Sequence, residues 1–93
     1  MRIIWSAMAI SNLAEIKQYI EQDKPEAAHR TAQRILFSVE RLATHPYLGH
    51  PGREPGTREL GVAGMPYIIA YTIHKARLVI LAVLHTSRLR PEE

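Results

Sequence analysis

The sequence predicts a single α+β domain spanning residues 1–93: a short N-terminal strand, an α-hairpin, then an antiparallel sheet, in the order β-α-α-β-β-β. Three observations predict it. Apolar residues recur at helical steps from Ala9 to Leu42, with one break before Pro25. Two strong β runs, "YIIAYTIH" and "RLVILAVLH", stand near the C-terminus with only "KA" between them. Between the helical and β portions lies "HPYLGHPGREPGT", which holds three of the six prolines and three of the five glycines.

Each element follows in turn. "RIIW" is a short β run, and Ser6 after it is a helix N-cap whose hydroxyl can accept an orphan backbone N–H. Ala9, Leu13, Ile16 and Ile20 then form one helical face, which Tyr19 widens. "QDKP" ends this helix, and Pro25 suits the first turn of the next, where its missing N–H costs little. The second helix shows Ala28, Ala32, Ile35, Val39 and Leu42 on one face and stops at Pro46. Its other side carries Arg30, Arg34 and Arg41 along a line with Phe37 between them, read first as a solvated face whose aromatic covers the core edge and second as a binding stripe. The Pro/Gly stretch from His45 to Thr57 is a loop without regular structure, of a length often put to functional use. "TRELGV" is a short strand turned by "AGMP". Lys-Ala is poor chemistry for a primed two-residue turn, so a wider hairpin loop is expected there. Tyr67, Ile69, Tyr71 and Ile73 share one face of their strand, and Ile68, Ala70, Thr72 and His74 share the other. Both faces are largely apolar, so helices should cover one, and a partner or loop part of the other.

Composition removes several function classes. There is no cysteine, hence no disulfide framework and no thiolate zinc site. His45 and His50 lack companions at metal spacing, so neither a metal nor a cofactor is expected. No apolar stretch reaches the roughly 20 residues of a membrane span. "MRIIWSAMAI" runs into polar helical sequence without a cleavage-like site, which makes it structure and not a signal peptide, and the expected location cytoplasmic. Ser/His/Asp catalysis would have to use Asp23, the single aspartate, in a helix–helix loop. "GHPGREPG" lacks the G-K-[ST] ending of a phosphate-binding loop. The formal charge is +3, and the stretch from Arg53 to Arg90 holds six cations against two acids. Nine arginines against three lysines favour planar contact with phosphate or carboxylate, which points to nucleic acid or an acidic protein segment.

Six stretches, in order, carry a family resemblance. They are W-S-x-x-A-x-x-x-L from Trp5 to Leu13, P-x-x-A from Pro25 to Ala28, and L-x-x-x-P-x-x-G from Leu42 to Gly49. G-T-R-E-L from Gly56, P-Y-I-I-A-Y from Pro66 and I-L-x-V-L-H-x-x-R from Ile80 to Arg88 complete the set. Together they resemble the RelE/ParE superfamily of bacterial type II toxins. The resemblance implies a growth-inhibiting toxin of a plasmid-stabilisation type, neutralised by a cognate antitoxin with a DNA-binding half. An acidic, partly disordered antitoxin that folds on binding would match a basic surface with apolar strand faces.

Two mechanisms share this fold. ParE-like members act on DNA gyrase without catalysis of their own; RelE-like members are mRNA interferases that cleave message on the ribosome. For a ribonuclease, His85 would be the acid and Arg58 and Arg88 the phosphate clamps, with Tyr47 or Tyr67 stacking on a base. Otherwise His85 is a strand-end residue hydrogen-bonded to a backbone carbonyl or to Glu59. Ribonuclease members place an arginine in the middle strand where this chain has Ile68, and lysines in the preceding strand where it has none between Lys24 and Lys75. The tail "PEE" offers no catalytic tyrosine. The expectation is therefore a ParE-like gyrase inhibitor, with Arg88, Arg90, Tyr67 and Tyr47 as candidate target-binding residues. Ribosome-dependent mRNA cleavage is the alternative, and a non-toxic antitoxin-binding member the third.

Overall fold

Alternation in the strands and a heptad-like stripe on the second helix build one two-layer arrangement. The computed structural model describes residues 1–89, with side chains through Ser87. Strand β1 (Arg2–Trp5) leads into helices α1 (Ala7–Glu21) and α2 (Pro25–Thr44). Strands β2 (His50–Pro51), β3 (Arg58–Gly61), β4 (Tyr67–His74) and β5 (Arg77–His85) follow, then a 3₁₀ turn at Thr86–Leu89. The sheet order is β1-β5-β4-β3-β2. β2 to β5 are antiparallel neighbours, while β1 lies parallel to β5, so the sheet is mixed. A parallel pair needs a long crossover, and the β4–β5 hairpin with everything before it supplies one.

The helices cover one face of the sheet. Ala9, Ile35, Val39 and Leu42 meet Ile69, Tyr71, Leu78 and Ile80 in the core, with Leu13 and Ile16 packed at its edge. On α2 the buried positions 28, 31, 35, 38, 39 and 42 include Thr31 and Ser38. Both are small enough to sit in the apolar stripe, and no buried side-chain polar atom among the described residues lacks a partner. Ser6 caps α1 as expected, its oxygen accepting the Ala9 N–H at 3.0 Å. Pro25 occupies the first turn of α2.

Three local expectations change. The Pro/Gly loop contains the two-residue strand β2, whose pairing with β3 sets His50 opposite Glu59 and Pro51 opposite Arg58. Proline is tolerated there because β2 is an edge strand. The hairpin loop is not widened: Lys75 and Ala76 alone connect the strands, and Lys75 takes a left-handed φ of 59°. The close pairing of β4 and β5 along their whole length outweighs the strain at one non-glycine residue. Tyr19 does not widen the core stripe, being 76% exposed. It lies toward the end of α1, at the rim of a cavity it shares with Tyr67 and Val83 of the sheet.

A bulge at Leu81 fixes how α1 meets the sheet. Tyr71 pairs with Ile80 and Ala70 with Ala82, which leaves Leu81 unopposed. β1 ends at Trp5, opposite Ile80, so β5 beyond that point has no strand on that side. The start of α1 takes over. Ser6 Oγ donates to the Leu81 carbonyl at 3.0 Å, and Asn12 Oδ1 accepts the Val83 N–H at 3.1 Å. Two backbone groups of β5 that lie past the end of β1 are satisfied, and α1 is held against the end of β5 that carries His85.

Candidate functional site

Arg58 sits on β3 opposite Tyr71, on the helix-covered face. Its guanidinium turns back on the loop after α2. Nε donates to the Gly49 carbonyl at 3.1 Å, and Nη2 donates to the carbonyls of Gly49 and of Tyr47, the latter at 3.3 Å. The same group lies 5.2 Å from the centre of the Tyr47 ring. Tyr71, with no solvent exposure, spends its hydroxyl on this loop too: it donates to the Pro46 carbonyl at 2.8 Å and accepts the Gly49 N–H at 2.9 Å. Leu48 N–H closes a turn onto the His45 carbonyl at 3.1 Å. The fold thus uses a buried tyrosine and an arginine to hold residues 46–49 in one shape.

His85 ends β5 opposite Tyr67, and the two rings meet edge to face with centroids 5.4 Å apart. Its Nδ1 accepts the Ser87 N–H at 3.1 Å and lies 2.8 Å from Ser87 Oγ. The partner is the chain two residues on, not the backbone carbonyl or Glu59 expected of a strand-end histidine. Glu59 instead accepts the Arg53 N–H at 3.4 Å. Beside His85 a cavity of about 520 Å³ opens between α1 and the sheet, lined by Asn12, Glu15 and Tyr19 on one side and Tyr67, Val83 and Ser87 on the other.

The candidate residues therefore fall in two places. Tyr67 and His85 come together. Arg58 and Tyr47 come together. The two pairs are separated by four residues of β4, on the order of 13 Å along the strand. Arg88 belongs to the 3₁₀ turn that follows His85, but its side chain lies outside the described residues, as does all of Arg90. The α2 stripe is partly divided: Phe37 is 61% exposed and does not cover the core edge, while Arg34 donates to the Ala63 carbonyl at 2.7 Å. Asn12, which the sequence offers only as a polar helix residue, proves to be the link between α1 and β5. Its signal was its place among helical apolar positions, which does not reveal a bulge on a distant strand.

Among the described residues, the second face of the sheet carries no helix. Ile68 stands beside Leu84, Ala70 beside Ala82, and Thr72 beside Val79 and then Ile4. The row at the hairpin end is basic: Arg2, Arg77 and His74 are register partners across three strands. An apolar field with a cationic margin is the result.

Tyr67 also responds to its surroundings. Burial pushes its phenol above the ordinary value of 10.0, and the neighbouring Tyr19 adds to the rise. The folded state thus holds that proton more tightly than the unfolded chain. The stability this contributes is fully present below the unfolded value and is lost as pH rises through the folded one. Tyr67→Phe is expected to flatten the fall in stability between about pH 9 and pH 11, measured by urea unfolding. An unchanged slope would show that Tyr67 ionises alike in both states.

The family model described as "ParE toxin of type II toxin-antitoxin system, parDE" matches residues 3–90. The Sinorhizobium fredii protein Y4kP is 45% identical over 91 residues, covering 98% of this chain and 94% of that protein. Toxin RelE2 of Caulobacter vibrioides is 33% identical over 88 residues, covering 95% and 98%. Among solved structures, one described as the chromosomal ParDE TA system from P. aeruginosa superposes with a TM-score of 0.84 at 24% identity, covering 91% of this chain and 95% of that one. That likeness shows the fold.

Proposed function

The chain belongs to the ParE toxin family of type II toxin–antitoxin systems, and from that premise we propose that it arrests growth by binding DNA gyrase, not by cutting RNA. Such a system pairs the toxin with an antitoxin. The observation that carries the gyrase reading is Arg58. A phosphate clamp needs a guanidinium free to meet its ligand, and this one is held by the Gly49 and Tyr47 carbonyls. The middle strand adds to the case, since Ile68 and its neighbour Leu84 offer only hydrocarbon where phosphate would need a cation.

The antitoxin is read as an acidic polypeptide with apolar anchors. The uncovered sheet face would take its apolar residues, and the row of Arg2, Arg77 and His74 its carboxylates. Ribosome-dependent mRNA cleavage keeps one observation in its favour. The His85 and Tyr67 rings meet edge to face beside the cavity between α1 and the sheet, which would put a histidine where a ribonuclease needs proton transfer.

Parallel pulse labelling with thymidine and methionine after induced expression tests the choice. DNA synthesis is expected to stop first, and His85→Ala to leave the arrest within about twofold. Protein synthesis collapsing first, with His85→Ala inactive, would move the activity to the His85 end; loss of a catalytic acid commonly costs a factor of about 10² or more. Charge reversal at Arg88 and Arg90 is expected to weaken the arrest more than His85→Ala does. Indifference to it removes that basic end from the account.

A further inference from the structure

The loop after α2 does something a connecting loop does not need to do. It holds two large apolar side chains out in solvent, Tyr47 at 68% exposure and Leu48 at 41%. Beneath them the backbone is fixed by Tyr71 through Pro46 and Gly49, and by Arg58 through Tyr47 and Gly49. Gly49 is required at the closest point. A Cβ there would stand 2.6 Å from the Glu59 carbonyl oxygen and 2.8 Å from the Tyr71 hydroxyl. Polar and buried groups are thus committed to keeping an apolar tip in one conformation.

We infer that Tyr47 and Leu48 form a preorganised knob that inserts into a concave apolar pocket on the folded protein this toxin inhibits. The inference rests on the reading above that the target is a protein, and it names the surface that reading lacks. Aromatic anchors in fully desolvated pockets dominate protein interfaces. A tip fixed in advance loses little conformational entropy on docking.

Nucleic acid fits the knob poorly. One face of the Tyr47 ring already has the Arg58 guanidinium 5.2 Å from its centre, and that cation is occupied by carbonyls. Base stacking also wants free cations beside the ring for the backbone, and the Nε and Nη2 donors of Arg58 are already spent on carbonyls. Leu48 contributes nothing to stacking. An extended antitoxin segment fits poorly as well, because it offers no cavity for a protruding side chain. Its seat, on the reading above, is the open sheet face with the Arg2, Arg77 and His74 row.

The test is induced growth arrest without antitoxin, a readout that does not presuppose gyrase. It is run with Tyr47→Ala, Leu48→Ser and Tyr47→Phe beside the wild-type chain. Alongside it, each purified variant is measured for thermal unfolding and for affinity to the cognate antitoxin. Tyr47→Ala and Leu48→Ser are expected to need at least tenfold more protein for the same arrest. Tyr47→Phe should keep it, since the ring and not the hydroxyl does the docking. Antitoxin affinity and melting temperature should stay unchanged for all three. Full arrest by both truncated variants overturns the proposal. A parallel loss of antitoxin affinity also overturns it, by giving the knob to the antitoxin. So does a wild-type oligonucleotide affinity that Tyr47→Ala abolishes, which gives the knob to nucleic acid. Arrest that is lost as predicted while wild-type protein leaves purified gyrase untouched refutes the gyrase reading and leaves the knob standing for another protein.

Discussion

Tyr71→Ala is expected to cost about 3–5 kcal/mol, as truncations of fully buried aromatics do. That is a large fraction of the stability of a domain, whose total is on the order of 5–15 kcal/mol. The reason is double duty. The ring fills the core between α2 and β5 with no solvent exposure, and the hydroxyl pins the loop from Pro46 to Gly49. Tyr71→Phe separates the two roles. It keeps the ring but leaves the Gly49 N–H and the Pro46 carbonyl without that partner, at a cost of about 1–3 kcal/mol. Urea unfolding of both variants measures the difference. Equal losses for the two would mean that the ring contributes nothing, contrary to the packing described here.

Gly49→Ala is the second large effect. The added methyl group would meet the Glu59 carbonyl at 2.6 Å, and backbone in a paired strand has little room to yield. The loop must lift away from β3 and lose its hydrogen bonds to Tyr71 and Arg58. Overpacking of this kind costs about 1–3 kcal/mol before those bonds are counted. The expected melting temperature falls by roughly 4–8 °C for each kcal/mol. Growth arrest should fall as well, because the knob at Tyr47 loses its support. A Gly49→Ala protein with wild-type melting would show that the loop is free to move, which would also weaken the case for a preorganised tip.

Much of this fold was legible in the sequence, for physical reasons that can be named. The two helices announced themselves through Ala9-Leu13-Ile16 and Ile35-Val39-Leu42, which belong to the core shared with the sheet or pack against it. Pro25 and Ser6 marked helix starts because each satisfies or removes an orphan N–H locally. The pairing of β4 and β5 followed from two adjacent β runs. What stayed hidden depends on residues far apart in the chain. β2 is two residues long and exists because β3 offers it an edge. Nothing within His50–Pro51 signals a strand. The parallel placement of β1 and the bulge at Leu81 likewise appear only once Trp5 meets Ile80.

The candidate site was legible in its members and not in its grouping. Tyr47, Arg58, Tyr67 and His85 were all marked by type and position. Their division into a loop clamp and a strand-end pair is a matter of sheet register: Arg58 faces Tyr71, and His85 faces Tyr67. Arg58 in particular reads as a free cation in "GTREL". Only the return of the 46–49 loop over β3 shows that its Nε and Nη2 donors are committed to carbonyls. Charge counts treat such an arginine as available. Hydrogen-bond geometry does not.

The central claim is inhibition of gyrase by binding. Its most direct test uses purified toxin, gyrase and relaxed circular DNA, and follows supercoiling and the appearance of cleaved DNA in the presence of ATP. Toxin is expected to stop supercoiling and trap broken DNA, added antitoxin to reverse both, and His85→Ala protein to behave as wild type. Uninhibited supercoiling by a preparation that arrests growth would contradict it.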